Sequence, residues 1–410
     1  MHFIFLHSQF VSLIMSYCRT VEDVQNVIQH AKLSDDELHP LTQVLSFAPK
    51  IEVQEKYKFL ELDSTLLNNL QNGQSLVFRG TKDENAVLCT NKQTYDVKEA
   101  ETSNSLLLLP DLRWPAQQTV AETGRMLEEK QVLGVFHKYY ELRICKPKLR
   151  KVHQLLEKCL YRGPEYEDDI VKTGVKLYTF QDLLDNVQAS KLELKAELKE
   201  NMAFCINGAW RFLEHEYHFR VLSYILNFVD ENSWPINQVN KTETLQSLAA
   251  LVPMDILDQC FSWYAEETVA ASKEGEPLYR LLEARVCRFL AEVLLRQAGK
   301  FNLEEFLLSW QQSVPEGMQT SEKYLEGMAL MDKNSKPEVI WYFSEADLPE
   351  DINERIRILF QTREKWTLDE IRPYVQRLAT EKVNVNALLT KYARASSVGG
   401  VRYYSAKHAK

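Results

Sequence analysis

The pattern of apolar and polar positions changes character near residue 146. From 51 to about 110, the runs YKFLEL, SLVFRG, AVLCT, QTYDVK and SLLLLP are short and rich in β-branched and aromatic residues. Polar stretches such as NNLQNGQ, TKDEN and TNK separate them, as turns separate strands. VLGVFHKYYELRIC at 132–145 alternates well enough to join the set, and TVEDVQNVIQHAKL, ahead of them all, reads as a helix. So many short strands in so little chain imply a small barrel or sandwich. So small a sheet leaves open edges, which invite strands from another chain.

From Lys146 onward the period becomes helical. KLRKVHQLLEKCL is amphipathic, and YRGPEYEDDIVKTG reads as an acidic loop carrying Gly and Pro. TFQDLLDNVQ is then a short helix, Ser190 to Glu193 is a capping box opening another, and AFCINGAWRFLE is a hairpin over Asn207-Gly208. The arrangement returns. Asn302 to Glu305 caps LEEFLLSWQQS, VPEGM breaks it, TSEKYLEGMALM resumes as a helix, and Asn334 to Pro337 turns into the strand EVIWYF. At the end, Thr367 to Glu370 is a capping box, ATEKVN a turn, VNALLTKYARASS a helix and VGGVRYYSA a hairpin over Gly399-Gly400. Helix, turn, helix and two-stranded wing make the winged form of the helix-turn-helix. Between 216 and 282 a looser version runs through YHFRVLSYILNFV, TETLQSLAAL and PMDILDQCFSWY to a hairpin around Lys273–Glu276. Pro373 falls inside a presumed helix and is expected to kink or shorten it.

The expected fold class is therefore α+β. A small β-barrel-like domain, completed by partner chains, precedes a tandem array of three winged-helix units, with a fourth possible. The boundaries read as an N-terminal extension at 1–19, the barrel-like partner-binding domain at 20–145, a winged-helix region of one or two units at 146–282, a unit at 283–344 and a DNA-binding C-terminal unit at 345–410.

Composition narrows the function. The 410 residues are 45% hydrophobic and 26% charged, ordinary for several globular cores. Seven cysteines are scattered without a close pair, which fits reduced thiols better than a disulfide framework or a zinc site. MHFIFLHSQFVSLIMSY lacks a basic leader region and is too short to span a membrane, so no membrane partner is expected. Met15 would make a sensible start, leaving 1–14 as an upstream extension. Asn240-Lys-Thr242 fits a glycosylation sequon but carries no meaning in an intracellular chain.

Catalytic motifs are missing. Neither a Walker A loop nor G-x-G-x-x-G nor G-x-S-x-G occurs, so no cofactor is expected. His215 and His218 lie about one helical turn apart with no third ligand nearby and read as surface or hinge histidines. Glu165, Glu167, Asp168 and Asp169, in the polar loop, read as solvated charge rather than as acid/base pairs. An enzyme is not indicated.

The tail departs from the rest. The net charge is −9, yet residues 391–410 contain no acid and carry five cations, so the other 390 residues hold −14. Lys391 and Arg394, three apart, are expected to share one face of the last helix. Arg402, Tyr403, Tyr404, Lys407 and Lys410 follow on the wing and after it. Cations on a helix, with cations and aromatics on a hairpin, suit phosphate contact plus base stacking. A solvated end or a protein dock is the competing reading, and base-specific readout has little support.

SLVFRGTKDENAVLCTNKQTYDVKEAETSNSLLLLP, YTFQDLLDNVQAS, FNLEEFLLSWQQSVPEGM and REKWTLDEIRPYVQRL with the ALLTKYARASS and GVRYYS that follow strongly resemble one family. It is the Dcc subunit family, sister-chromatid-cohesion proteins of the alternative replication factor C clamp loader. The resemblance runs from about residue 20 to the end. It implies a nuclear, non-ATPase subunit whose β-domain forms a composite barrel with a very small subunit and the C-terminal end of the large ATPase subunit. It also implies winged helices that bind single- and double-stranded DNA and help engage the catalytic subunit of leading-strand DNA polymerase epsilon. The assembly would act on PCNA, contacted indirectly by this subunit, in support of cohesion and checkpoint signalling. The family's DNA surface carries over best to Lys391 and Arg394, then to Arg402 and Lys407. The middle wings, CINGAW and DKNSKPE, are poor in cations and look more like protein docks. A scaffold binding only proteins and a free-standing transcription regulator are the alternatives.

Overall fold

The computed structural model describes residues 19–34, 37–48, 56–114, 125–271, 275–379 and 383–407. The extension before Arg19, the hairpin tip at Lys273 and the site candidate Lys410 lie outside them. The protein is α+β. Its residues cluster into two compact units, one of residues up to Gly73 with Val97–Arg143, the other of Gln74–Asp96 with Ile144 onward.

The first strands in chain order are β1 (Leu41–Phe47), β2 (Val77–Arg79), β3 (Val87–Cys89), β4 (Thr94–Leu108), β5 (Met126–Val132) and β6 (Gly134–Ile144). In the smaller unit, helix α1 (Val21–His30) opens with a capping box of Thr20 and Asp23. β1 pairs with β5 in parallel from Leu41↔Met126 to Phe47↔Val132. The expected strand YKFLEL contributes only the bridge Leu60↔Tyr140, and QTYDVK and SLLLLP belong to one long β4 rather than two strands. The stretch expected as the turn NNLQNGQ is largely helix α2 (Ser64–Gln71). The Asp63 carboxylate accepts from Leu66 N–H there and starts it. Among the described residues the strands close no barrel.

The larger unit repeats one element order four times. Each repeat has a leading helix, a short first strand, two further segments and a hairpin. In the first repeat these are α3 (Arg150–Leu156), α5 (Phe180–Asn186), α6 (Lys191–Glu200), β7 (Phe204–Ile206) and β8 (Ala209–Arg211), with α4 (Glu167–Thr173) inserted after α3. Its first strand is reduced to the bridge Tyr178↔Trp210. The second has α7 (His215–Glu231), β9 (Val239–Asn240), α8 (Lys241–Leu248), α9 (Met254–Tyr264), β10 (Ala265–Ala271) and β11 (Pro277–Leu281). The third has α10 (Glu283–Gln297), β12 (Lys300–Asn302), α11 (Leu303–Ser313), β13 (Ala329–Asp332) and β14 (Val339–Tyr342). The fourth has α12 (Ile352–Thr362), β15 (Trp366–Thr367), α13 (Leu368–Val375), α14 (Val385–Tyr392), β16 (Ala393–Val398) and β17 (Val401–Ala406).

In the last three repeats the first strand pairs with the second hairpin strand, giving the orders β10-β11-β9, β12-β14-β13 and β15-β17-β16. One local signal recurs at the junction of first strand and second helix. Thr179, Asn240, Asn302 and Thr367 each accept from the backbone N–H three residues on, at Asp182, Glu243, Glu305 and Glu370. That satisfies an orphan helix donor and places an acid near the positive end of the helix dipole.

Several expected segments differ. TSEKYLEGMALM is a 3-10 turn at Glu322–Leu325 followed by β13, not a helix. The acidic stretch after α3 is the 3-10 turn Pro164–Tyr166 and α4, not a loop. α4 forms because Glu167 is held by the fully buried Arg211 of β8, whose Nη1 lies 2.8 and 2.7 Å from the two carboxylate oxygens. α13 passes through Pro373 for two residues and then tightens into a 3-10 turn at Gln376–Leu378. One apolar cluster runs through the second and third repeats and takes in Phe204 from the first. Separate clusters fill the first repeat and the fourth.

Candidate nucleic-acid interface

The fourth repeat is built around Trp366. Its side chain is fully buried, its indole N–H donates to the carbonyls of Leu359 at 3.1 Å and Arg363 at 2.9 Å, and its ring meets Tyr374 edge-on at 5.6 Å. Trp366 pairs with Tyr404 across the sheet, so one aromatic fixes α12, β15 and β17 together. Arg355, also buried, donates to Glu345 and to the carbonyls of Pro349, Leu348 and Tyr374. Tyr374 in turn donates from its hydroxyl to Ala329 and Phe343 carbonyls of the third repeat. The hairpin β16–β17 projects from this base over Gly399-Gly400, both at positive φ, a turn that glycine adopts without steric cost.

On that frame Lys391 is exposed in the last turn of α14, its ammonium 5.0 Å from the centre of the Tyr392 ring. Lys407 lies beside it and donates to the Lys391 carbonyl at 2.6 Å. Arg394 is not on the helix. Ala393 is extended, 4% exposed and paired with Ala406, so strand pairing ends α14 at Tyr392 and puts Arg394 on β16. Lys391 and Arg394 therefore do not share a helical face. Arg394 pairs opposite Ser405, and Ser396 opposite Tyr403, so Arg394 and Tyr403 lie on one face of the hairpin. Arg402 is on the other face, 5.3 Å from the centre of the Tyr404 ring. Tyr404 is 2% exposed. Its ring belongs to the core and is not free to stack on a base, which corrects that assignment.

Lys391, Arg394, Arg402 and Lys407 are all exposed, and among the described residues none pairs with a carboxylate. The contrast within the same repeat is sharp, since Arg355, Arg363 and Arg377 are bound to Glu345, Glu370 and Glu197. Cations already held by carboxylates gain little from a phosphate. Unpaired ones on a projecting hairpin release counterions when they meet one. Lys365, also exposed and unpaired among the described residues, went unnoticed in the sequence. It precedes Trp366 and lines the same cleft of about 850 Å³ as Tyr403 and Val398. Its proximity to the wing emerges only once β15 pairs with β17. That cleft also presents Glu322, Glu326, Asp332, Glu364, Asp369 and Glu370, so positive potential gathers on the hairpin and helix end rather than in the cleft.

Elsewhere the candidates resolve into structure. His218 is in the core, not at the surface, with its ring centre 4.3 Å from that of Phe289, tilted by 35°, and Nε2 3.1 Å from the Tyr264 hydroxyl. Burial pushes its pKa down to about 3. His215 is half-buried, and among the described residues no three metal-ligating side chains converge. Glu165 pairs with Arg220 and Glu167 with Arg211. No described helix is long and apolar enough to cross a membrane.

A family model described as sister chromatid cohesion protein Dcc1 matches residues 57–375. The chain belongs to this family. It is 41% identical to sister chromatid cohesion protein DCC1 of Danio rerio, over 95% of this chain and 98% of that protein. Identity to the Homo sapiens protein of the same name is also 41%, over 95% and 98%. The Saccharomyces cerevisiae protein of that name is 24% identical over 85% of this chain and 96% of its own length. The family is named for cohesion and not for a catalytic activity. The match covers β2 to β6 and the repeats as far as α13; α1 and β1 precede its first matched residue, and the cationic helix end and wing lie beyond its last.

Proposed function

We propose that this chain is a non-catalytic accessory subunit of an alternative replication factor C complex, acting on PCNA at replication forks in the nucleus in support of sister chromatid cohesion. Family membership over most of the chain supports that reading. The four repeats are winged-helix units, an assignment supported by the shared element order and by the pairing of first strand with second wing strand. The smaller unit is an incomplete barrel, finished by strands of the large ATPase subunit and the very small subunit. Its short β1–β5 sheet, with Leu45 and Phe47 49% and 64% exposed on β1, supports this. The earlier wings, poor in net positive charge, serve the contact with the DNA polymerase epsilon catalytic subunit.

The observation that carries the DNA-binding part is the set of four exposed cations, without carboxylate partners among the described residues, at the end of α14 and on the last wing. The contact is to backbone on single- and double-stranded DNA, not to base edges, since it is made of scattered phosphate binders. A salt titration tests it. If Lys391 and Arg394 each neutralise one phosphate, the Lys391→Ala/Arg394→Ala protein should show a log K against log[salt] slope flatter by about 1.8 on duplex and about 1.4 on single strands. Equal slopes for both proteins would leave the tail a protein dock or a solvated end.

A further inference from the structure

Among the described residues, the densest row of cations without a carboxylate partner in the repeats is not in the tail. α6, the third helix of the first repeat, carries Lys191, Lys195 and Lys199 at i, i+4 and i+8, which places them along one face at about 6 Å per step. All three are exposed. The carboxylates of that helix are turned elsewhere. Glu193 receives Thr94 Oγ1 and the Ser190 N–H, and Glu197 is 4% exposed and bound to His153 and Arg377. Only Glu200, after Lys199, is an exposed acid on α6. Among the described residues no carboxylate pairs with any of the three lysines, whereas Lys151, Lys172 and Lys176 of the same repeat pair with Glu84, Asp169 and Asp182.

This row works against its own helix. Like charges at i, i+4 destabilise a helix, and Lys191, in the first turn, opposes the helix dipole. Among the described residues no carboxylate offsets these costs. Lys195 has only the Phe180 ring, 5.7 Å from its ammonium, and Lys199 alone sits in the last turn, where the dipole favours a cation. The row is left open to negative charge from outside. Lys92 extends the row. Its turn sits at the amino end of α6, where the Leu192 N–H donates to the Asn91 carbonyl at 3.1 Å, and Lys92 is exposed. Beside the lysines, Leu192 is 43% exposed and Ala196 is small and exposed, so the face is flat enough for close approach. The other third segments lack such a row. α9 is MDILDQCFSWY, the third repeat has the turn EKYL, and α14 carries Lys391 alone.

We propose that Lys191, Lys195 and Lys199 form a second nucleic-acid contact, a backbone-tracking face on the first repeat separate from the C-terminal wing. A polyanionic backbone suits the row better than an acidic protein patch, because regularly spaced cations without fixed donors or an apolar pocket match regularly spaced charges. The site is phosphate-reading and indifferent to sequence.

The test compares the full chain with its Lys191→Gln/Lys195→Gln/Lys199→Gln variant, using a labelled duplex, a labelled single strand and a poly-glutamate peptide. The expected result is a salt slope flatter by about 2.7 on duplex and about 2.1 on single strand, with a melting temperature equal to or above wild type because the like-charge repulsion is gone. The triple Lys→Arg variant keeps the wild-type slope. Unchanged DNA affinity and slope overturn the proposal, and loss confined to poly-glutamate overturns it in favour of an acidic protein partner. Repeating the comparison with Lys391→Ala/Arg394→Ala separates the two surfaces. A flatter slope from the triple variant in that background supports this site whatever the tail does.

Discussion

Glu197 and Arg377, 180 positions apart in the chain, meet at 2.5 Å. Glu197 lies on the buried side of α6 at 4% exposure, and Arg377 follows α13 in the fourth repeat. His153 Nε2 stands 3.3 Å from the same carboxylate oxygen. One carboxylate thus ties the first repeat to the last, on the helix whose opposite face bears the lysine row. Burial alone would raise the Glu197 carboxyl. The hydrogen bond with His153 and the charge and hydrogen bond of Arg377 outweigh it, and its pKa lies below the ordinary value.

Because the folded value is depressed, this stabilisation is present above the ordinary glutamate pKa of about 4.3 and is lost as pH falls through the lower folded value. Glu197→Gln is expected to cost about 1.5–3 kcal/mol at neutral pH, the range for hydrogen bonds to charged groups. The larger cost of breaking a fully buried pair does not apply, since Arg377 keeps 41% of its side chain in water. The variant's stability should also vary less with pH below about 4.3. Urea denaturation from neutral to acid pH checks both, and wild-type stability at pH ~7 would show that the tie contributes nothing.

His218 predicts acid sensitivity at milder pH. Its burial, reinforced by the charge of His215, holds it neutral with a pKa of about 3, while the unfolded chain titrates near about 6.5. The unfolded state therefore binds more protons below about 6.5, and stability falls as pH drops toward the folded value. His218→Gln keeps a partner for the Tyr264 hydroxyl but does not titrate. Between pH ~7 and ~5 it should lose up to about 2 kcal/mol less than wild type. Parallel acid losses in the two proteins would remove His218 from the account.

Arg211 is the strongest case for a buried charge holding local structure. Besides Glu167 it donates to the carbonyls of Cys159 and Leu160, both at 2.8 Å, and its guanidinium lies 5.0 Å from the centre of the Tyr161 ring. Arg211→Met should cost toward the lower end of about 3–5 kcal/mol, because the freed Glu167 can reach water. Hydrogen exchange should accelerate across Glu167–Thr173 first. Arg211→Lys should not restore protection, since a single ammonium cannot reach the carboxylate and the two carbonyls that three separate guanidinium nitrogens hold. Protection of α4 equal to wild type in either variant would show that the helix stands without this anchor.

The elements legible in the sequence were those fixed by neighbours in the chain. Caps at Ser190, Asn302 and Thr367 marked helix starts, and Asn207-Gly208 and Gly399-Gly400 marked hairpins, because capping and turn chemistry act over a few residues. What escaped depends on distant partners. ARASS continues a helical pattern without a breaker and becomes strand only because Val401–Ala406 pairs with it. β1 rests on pairing with β5, more than 70 residues later. α4 has weak local signals and an anchor on β8. The cationic tail was visible as composition, but the fate of each side chain was not. Tyr403 and Tyr404 are adjacent and chemically identical, and only the pleat separates them.

That separation gives a paired prediction. Tyr404 is 2% exposed in the core beside Trp366, while Tyr403 is half-buried on the face that carries Arg394. Tyr404→Ala should cost about 3–5 kcal/mol, as for other buried aromatics truncated to alanine, and should loosen the fourth repeat as a whole. Tyr403→Ala should leave thermal stability within about 1 kcal/mol of wild type and weaken single-strand binding by about 1–3 kcal/mol, the worth of one stacked base. Melting curves and anisotropy titrations on the two variants separate the roles. Undiminished single-strand affinity in Tyr403→Ala, with the fold intact, would restrict the wing to phosphate contacts by its cations.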